Sequence, residues 1–566
     1  MQLGHLNQII PQEKDFKVEL ARYWQPENRF VIVGSVGAIT RLIAPIIRGK
    51  DLDPAILVLD PGGEHVIPLL GGHSSGAERC ALELAAELGG TAVITSSCFY
   101  ERRLPVDCFG EAWGWRRSGT AESWRNLMKN QARAQPMRVM QNSGDRRWLN
   151  ATIFPLIDMV EAGSIDFFIG PNHYEGCSWH PPTLWIGVGC ERGTSITVLR
   201  RGIARSLDEA GLAIEAVAGL ATADRKANEP ALLALCEENR WLLRTYAAEN
   251  LATISAPTPS ETVFKEMGTA SVAEAAALLT VGNKGSLLQT KRVYHASKSE
   301  KGAVTIAVAE STIAIAPQRG ELHLIGSGPG DPALLSNDCK GALSRCSCWV
   351  GYKLYLDLIE PLRQPEQIRF DGELTKERDR CSEALELACQ GARVALISSG
   401  DSGIYGMAGL ALDLWLQRTK RERPKFQVHP GISALQLAAA KVGAPLMHDF
   451  CAISLSDWLT PWHVIEKRIK SAATGDFVIA LYNPRSKDRD WQLAKTQDVL
   501  LKYRRHSTPV ALARQLGREN ESIKLTTLEA LIPEQVDMLT IILIGNSSSY
   551  SKDGMMLTPR VYTGTQ

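Results

Sequence analysis

The residues best suited to chemistry in this chain cluster in short turns that follow apolar runs. Gly326-Ser327-Gly328-Pro329-Gly330-Asp331-Pro332 follows Leu322-His323-Leu324-Ile325. Ser399-Gly400-Asp401-Ser402-Gly403-Ile404-Tyr405-Gly406 follows the strand-like Ala392 to Ser398. His429-Pro430-Gly431-Ile432-Ser433-Ala434, Tyr482-Asn483-Pro484 and Pro509-Val510-Ala511 repeat the design. Glycine lets a backbone approach a ligand closely or take positive φ, and proline stiffens the loop that does so. One such turn reads equally as a tight turn or as a ligand loop, but several on successive strands would assemble one cleft. The first turn is not a phosphate loop. It lacks a helix-opening G-x-x-G and a terminal Gly-Lys-Ser, and Asp331 would repel a polyphosphate.

A second group lies upstream. Thr222, Asp224, Lys226 and Glu229 crowd one loop at the predicted end of a strand. Such a loop is either simply solvated or uses Lys226, set between two acids, to orient a reacting carbonyl or carboxylate. His73, in the turn Gly71 to Glu78, is read either as a functional group at a strand's carboxyl end or as a turn residue. His173, Cys177 and His180 fall in one loop, but their spacing fits no standard zinc arrangement, and Cys346-Ser347-Cys348 lacks a second pair, so no metal site is assigned. Trp113, Trp115, Trp124 and Trp148 lie among arginines. They form either a base-stacking surface or, in a chain of balanced charge, a domain junction or a surface for an acidic small molecule.

These turns must be positioned by strands alternating with helices, which implies an α/β chain with parallel sheets and ligands at the strands' carboxyl ends. Expected strands are Phe30 to Val33, Ala55 to Leu59, Ala92 to Thr95, Asp166 to Ile169, Ala213 to Leu220 and Ala303 to Ala316. A helix is expected from Arg79 to Leu88 and another in the Ala151 to Gly170 stretch before its strand. Lys291 to Gly302 reads as a mobile loop or a substrate-side flap, and Pro317-Gln318-Arg319-Gly320 as a linker.

The chain has 566 residues, which suggests three to four domains at roughly 150 residues each. A net charge of +1 gives no field to attract nucleic acid or an anionic membrane. With 45% apolar residues and no apolar run of 18 or more, a spanning helix is not expected. The amino terminus lacks a signal-peptide pattern, and the 12 cysteines are scattered, as suits thiols in a reducing cytoplasm.

The five turn motifs together resemble the tetrapyrrole methyltransferases, and the segment from His448 to Trp462 resembles their precorrin-3B C17-methyltransferase branch. The resemblance covers about 322 to 550. Upstream, Gly34-Ser35-Val36-Gly37-Ala38, Val66-Ile67-Pro68-Leu69-Leu70, Gly187-Val188-Gly189-Cys190-Glu191-Arg192-Gly193-Thr194-Ser195, Thr222 to Glu229 and Pro259-Ser260-Glu261-Thr262-Val263 resemble the cobalamin biosynthesis protein G family, the cobalt-precorrin-5A hydrolases. This chain has Gly72-His73-Ser74-Ser75-Gly76-Ala77-Glu78 where that family usually has Gly-His-Leu-Gly-Gly-Ala-Asn.

The resemblance implies hydrolase-like α/β lobes followed by a two-lobed methyltransferase fold. The implied division is 1–110, 111–182 and 183–316 for the hydrolase-like half and 321–550 for the methyltransferase. It implies S-adenosyl-L-methionine as cofactor, with Pro329, Gly400, Asp401, Ile404, Tyr405, Ser433, Tyr482 and Ala511 lining its site. Asp401 is read either as a partner for the methionine ammonium or as a helix-capping Asp. His448, Asp449, Ser456 and Asp457 are candidates on the substrate side, and Lys226, Glu229 and His73 for hydrolysis. The implied activity is methylation at C17 of a precorrin-3 macrocycle with ring contraction, plus lactone opening in cobalt-precorrin-5A with loss of acetaldehyde. The alternative is another tetrapyrrole methyltransferase fused to a non-catalytic corrinoid-binding half. Precorrins or cobalt-precorrins are the expected partners, and the features allow a homodimer.

Overall fold

A computed structural model describes residues 16–49, 52–72, 75–96, 103–133, 135–150, 157–297, 299–315, 320–364, 367–373, 376–420, 422–486 and 489–560. His73, together with the linker positions 317–319, lies outside them. Strands and helices form several α/β lobes, with six sheets among the described residues.

The sheet that opens the carboxyl-terminal half is wholly parallel. Its order is Ile368–Gly372, Cys348–Tyr352, Arg393–Ser398, Glu321–Gly326 and Lys425–His429. Both faces are covered, which is why its strands read as unbroken apolar runs. Leu322, Leu324, Val394 and Leu396 enter one core cluster, while Ile325, Ala395 and Ile397 enter another. Because all five strands point the same way, the turns after Gly326, Ser398 and His429 converge at one end. A second, mixed sheet follows in the order Phe450–Ser454, Val478–Tyr482, Thr540–Ile544, Pro509–Arg514 and Ser522–Thr527, with only the first pair parallel.

Upstream, Leu184–Cys190, Val217–Ala223 and Leu242–Tyr246 are parallel, and Ala303–Glu310 and Ser286–His295 complete that sheet antiparallel. Here the structure corrects several expectations. The strand expected at Ala213 to Leu220 begins at Val217, after a short 3-10 turn at Ile214–Ala216. The strand expected to reach Ala316 ends at Glu310, where Ser311 takes the Ile313 amide. Lys291 to Gly302 is neither a loose loop nor a flap over its whole length. Lys291 to His295 belong to a strand paired with Ala303–Glu310, and Glu300 closes the turn on Arg201 at 2.7 Å.

The first sheet, Arg29–Val33, Ala55–Leu59, His65–Leu70 and Thr91–Ala92, is mixed rather than parallel. The connection from Leu59 to His65 is too short for a crossover, so the two strands must pair antiparallel. Asp60 fastens that turn by accepting the Gly62 and His65 amides. The helix here is Ala77–Leu88, and the expected strand at Ala92 to Thr95 shrinks to Thr91–Ala92.

Between these two upstream sheets lies a third, in the order Arg116–Ser118, Cys177–His180, Phe167–Ile169, Met137–Gln141 and Ile157–Met159. Ile157–Met159 is a strand where a helix was expected. Trp113, Trp115, Trp124 and Trp148 are all buried, and Trp115 and Trp148 pack on Phe109, so the tryptophan-rich stretch is core and cannot stack bases. Among the described residues no helix is long and apolar enough to cross a membrane.

Candidate active site

At the carboxyl ends of the parallel strands three turns interlock with backbone against backbone. Gly328 and Gly400 exchange hydrogen bonds, with N–H to carbonyl distances of 3.1 and 2.8 Å. A Cβ on Gly431 would lie 2.2 Å from the Gly400 oxygen and 2.4 Å from the Gly326 oxygen, so no side chain fits there. Gly328 and Gly400 are different. Both hold positive φ, +71° and +66°, and a Cβ on either would meet nothing nearer than 3.7 Å. Their backbone therefore borders open space against which a ligand can lie.

Side chains brace this frame. Asp401 accepts the Gly403 amide at 2.8 Å through one oxygen and the Gly431 amide at 3.1 Å through the other, bracing two turns, and it caps no helix, since the next one begins after Met407. The Cys339 thiol bonds the carbonyls of Gly326 and Pro430, and burial raises its pKa. Asp331 caps the following turn through the Ala333 amide. Arg518 of the second lobe donates to the Pro329 carbonyl, and Gly517 packs on Gly330. Ser433 begins helix Ala434–Val442 with a reciprocal capping box to Gln436.

Two tyrosines complete the cleft. Tyr405, at φ +51°, lies over Tyr482 with ring centroids 5.1 Å apart. The Tyr482 hydroxyl accepts the Leu435 amide, and Ala511 lies in the core cluster against which Tyr482 packs. Ile404 stays exposed beside Tyr405. Pro329, Gly400, Asp401, Ile404, Tyr405, Ser433 and Tyr482 thus lie on or beside the interlocked turns, while Ala511 is fully buried in the core against which Tyr482 packs.

The four substrate-side candidates divide. Ser456 and Asp457 follow the carboxyl end of strand Phe450–Ser454, where Asp457 accepts from Gln492 at 3.0 Å. His448 and Asp449 precede that strand's amino end, roughly 15 Å away along five residues.

In the upstream lobe, Lys226 and Glu229 are brought together with the turn after strand Leu184–Cys190. Buried Glu229 accepts the Gly193 amide at 2.8 Å, and the Lys226 ammonium is 4.0 Å from its other oxygen. Thr222 donates to the Val188 carbonyl and ties the two strands. Burial pushes the neighbouring Cys190 thiol up to about 11, so it stays protonated.

Sequence reasoning missed a buried histidine pair beneath the cleft. Glu321 Oε2 lies 2.8 Å from His323 Nε2, His323 Nδ1 lies 2.9 Å from His429 Nε2, and His429 Nδ1 lies 2.6 Å from Asp338 Oδ2. Both rings are fully buried. Each outer ring nitrogen faces a carboxylate oxygen that can only accept, and the central contact joins the two remaining ring nitrogens. The hydrogen bond from His323 holds the Glu321 carboxyl at about 2, while burial lowers the pKa of His429. The only signal in the sequence is that the two histidines stand in apolar runs before glycine turns.

Comparison with known proteins agrees with this geometry. Residues 321–532 match the family described as Tetrapyrrole (Corrin/Porphyrin) Methylases. Residues 19–98 match Cobalamin synthesis G N-terminal, and residues 184–309 match Cobalamin synthesis G C-terminus. A protein of Salmonella typhimurium named as a probable cobalt-factor III C(17)-methyltransferase is 47% identical over 242 residues, covering 43% of this chain and 99% of that protein. The precorrin-3B C(17)-methyltransferase of Sinorhizobium sp is 37% identical over 252 residues, 43% of this chain and 98% of that protein. The cobalt-factor III methyltransferase of Priestia megaterium is 44% identical over 246 residues, and the chain spans 45% of its length. With the glycine turns placed as above, the chain belongs to the tetrapyrrole methylase family, carrying cobalamin synthesis G regions ahead of the methylase.

Proposed function

We propose that the chain is a bifunctional enzyme of corrin-ring biosynthesis. Its carboxyl-terminal half methylates C17 of precorrin-3B or its cobalt-containing counterpart, with ring contraction. Its amino-terminal half opens the lactone of cobalt-precorrin-5A and releases acetaldehyde. The observation that carries the first half is the set of interlocked turns at Gly326, Gly400 and Gly431, on a chain 47% identical to nearly the whole of a C(17)-methyltransferase relative.

The residues present fit S-adenosyl-L-methionine, because Gly328 and Gly400 offer positive-φ backbone beside open space. Pro329, Gly400, Asp401, Ile404, Tyr405, Ser433, Tyr482 and Ala511 would hold it. When bound, it supplies a sulfonium methyl that is already electrophilic. The protein's work is therefore alignment and exclusion of water. Asp401 fixes two turns relative to each other, and the ring pair Tyr405 and Tyr482 closes the side of the cleft. Asp457, held by Gln492, is placed to meet a polar edge of the macrocycle, with Ser456 beside it. His448 and Asp449, which precede the amino end of that strand, would act on a part of the macrocycle roughly 15 Å from this edge.

In the amino-terminal half Lys226 is the group proposed to polarise a lactone carbonyl, with Glu229 holding the Gly193 turn that faces it. His73 is proposed as a further acid-base group. Soluble precorrins are the proposed partners and the cytoplasm the proposed compartment. Incubation of the intact chain with cobalt-precorrin-5A and assay of free acetaldehyde tests the second activity. Release at an enzymatic rate supports it, and tight binding without acetaldehyde makes this half a corrinoid-binding module instead.

A further inference from the structure

The sheet between the two cobalamin synthesis G matches belongs to neither of them, yet it carries a reactive arrangement. Ser118 Oγ lies 2.7 Å from His180 Nε2, and His180 Nδ1 lies 2.7 Å from the Gly170 carbonyl oxygen. A carbonyl can only accept, so Nδ1 carries the hydrogen. Nε2 then carries the lone pair, and Ser118 must be the donor. Burial lowers the pKa of His180, which keeps the ring neutral and basic at pH 7. Nucleophile, base and orienting acceptor are thus in the order that activates a serine hydroxyl.

The surroundings suit that use. Cross-strand register sets Ser118 opposite Ser178, Ser178 beside Phe168, and Phe168 beside Met140, so all four share one face. Phe167, Ile169, Cys177 and Trp179 occupy the other face and are core. Ser178 is fully buried, and among the described residues its hydroxyl has no hydrogen-bond partner. A buried unpaired hydroxyl costs about 1–3 kcal/mol unless something else uses it. Opposite Ser118, at a cross-strand Cβ separation of roughly 5 Å, it can donate to an oxyanion formed there. Farther along the same face, Phe168 two strands from Ser118 and Met140 three strands from it line, with His173 and Tyr174 but without Ser118, Ser178 or His180, a cavity of about 390 Å³.

We infer that Ser118 and His180 form a nucleophile–base pair for acyl transfer from a lactone or ester whose carbonyl enters along this face. The assignment of the lactone of cobalt-precorrin-5A as the ester rests on the function proposed above, and it makes Ser118 and His180, rather than Lys226, Glu229 and His73, the groups that open it. Ser118 Oγ bonds to the acyl carbon as its proton passes to His180 Nε2. The acyl C–O bond breaks, and that proton returns to the departing alkoxide. Water then attacks the acyl-serine and gives a proton to Nε2, which passes it to Ser118 Oγ as the carboxylic acid leaves.

The test uses the full-length chain and a serine-directed fluorophosphonate, with peptide mass mapping. Ser118 is expected to take the label, and Ser118→Ala to lose acetaldehyde release at least about 1,000-fold. Methyl transfer by the same variant reports that it is folded, and His180→Gln is expected to abolish labelling while retaining a hydrogen-bonding side chain. Either an unlabelled Ser118 or a Ser118→Ala variant that releases acetaldehyde at the wild-type rate overturns the proposal, and the latter does so while upholding the hydrolase reading. Labelling of Ser118 in a chain that never releases acetaldehyde upholds the pair as an esterase and removes only the lactone assignment.

Discussion

The Tyr405 hydroxyl donates to the Ala452 carbonyl oxygen across 2.9 Å, joining a loop of the parallel lobe to a strand of the mixed lobe. Burial raises the Tyr405 pKa, so this donor keeps its proton at neutral pH. Tyr405→Phe retains the ring against Tyr482 and removes only the bond. A single such bond contributes about 1 kcal/mol, so S-adenosylhomocysteine affinity by calorimetry is expected to fall about fivefold. Unchanged affinity would show that the contact between lobes plays no part in holding the cofactor.

Gly431 is the tightest point of the cleft. Gly431→Ala sets a methyl against two backbone carbonyls, neither of which can retreat without opening the turns at Gly326 and Gly400. Overpacking of this kind costs about 1–3 kcal/mol, so thermal unfolding should begin lower and cofactor binding should be lost. Gly409→Ala, where a Cβ meets nothing within 4 Å, is expected to behave as wild type in the same assays.

The buried histidine pair makes a pH prediction. The Glu321 carboxyl is held at about 2 against an ordinary 4.5, so the folded state binds fewer protons than the unfolded chain between those values. Its contribution is therefore complete above pH 4.5 and disappears as pH falls toward 2. After allowance for solvent screening it is on the order of 1–2 kcal/mol. Denaturant titrations of wild type and Glu321→Gln should differ most near neutrality and converge between pH 4.5 and 2. A gap that does not narrow over that range contradicts the prediction.

Glu229 is expected to act through position. Glu229→Gln keeps an oxygen for the Gly193 amide, whereas Glu229→Ala removes that hydrogen bond to the exposed Gly193 turn, a loss of about 1 kcal/mol. Denaturation midpoints should rank wild type and Gln together with Ala below. If Gln destabilises as much as Ala, the charge beside Lys226, rather than the hydrogen bond, is what the fold requires.

The cleft was legible in the sequence because its frame is local. Glycines that hold positive φ or admit another backbone stand directly after the strands that deliver them, as at Gly400 and Gly431. What joins those turns was not legible, since it depends on register between distant strands. His323 and His429 are 106 residues apart, and nothing in either neighbourhood announces the other. That Asp401 takes the Gly431 amide, from a turn 30 residues on, is likewise a contact the sequence does not announce. The tryptophan-rich stretch admitted a stacking surface because period and composition do not reveal burial, whereas Phe109 and Trp179 at its centre do. The first sheet was expected to be parallel because strand, turn and helix recur along it. The short Asp60 to Glu64 connection overrode that pattern by forcing a hairpin.

The central claim is the site of methyl transfer. Incubation of the purified chain with precorrin-3B, and separately with its cobalt-containing counterpart, and S-adenosylmethionine carrying a ¹³C methyl, followed by NMR of the isolated product, locates the new carbon directly. The account predicts one labelled methyl at C17 of a contracted macrocycle. A label at any other ring carbon, or no label in the macrocycle, would contradict it.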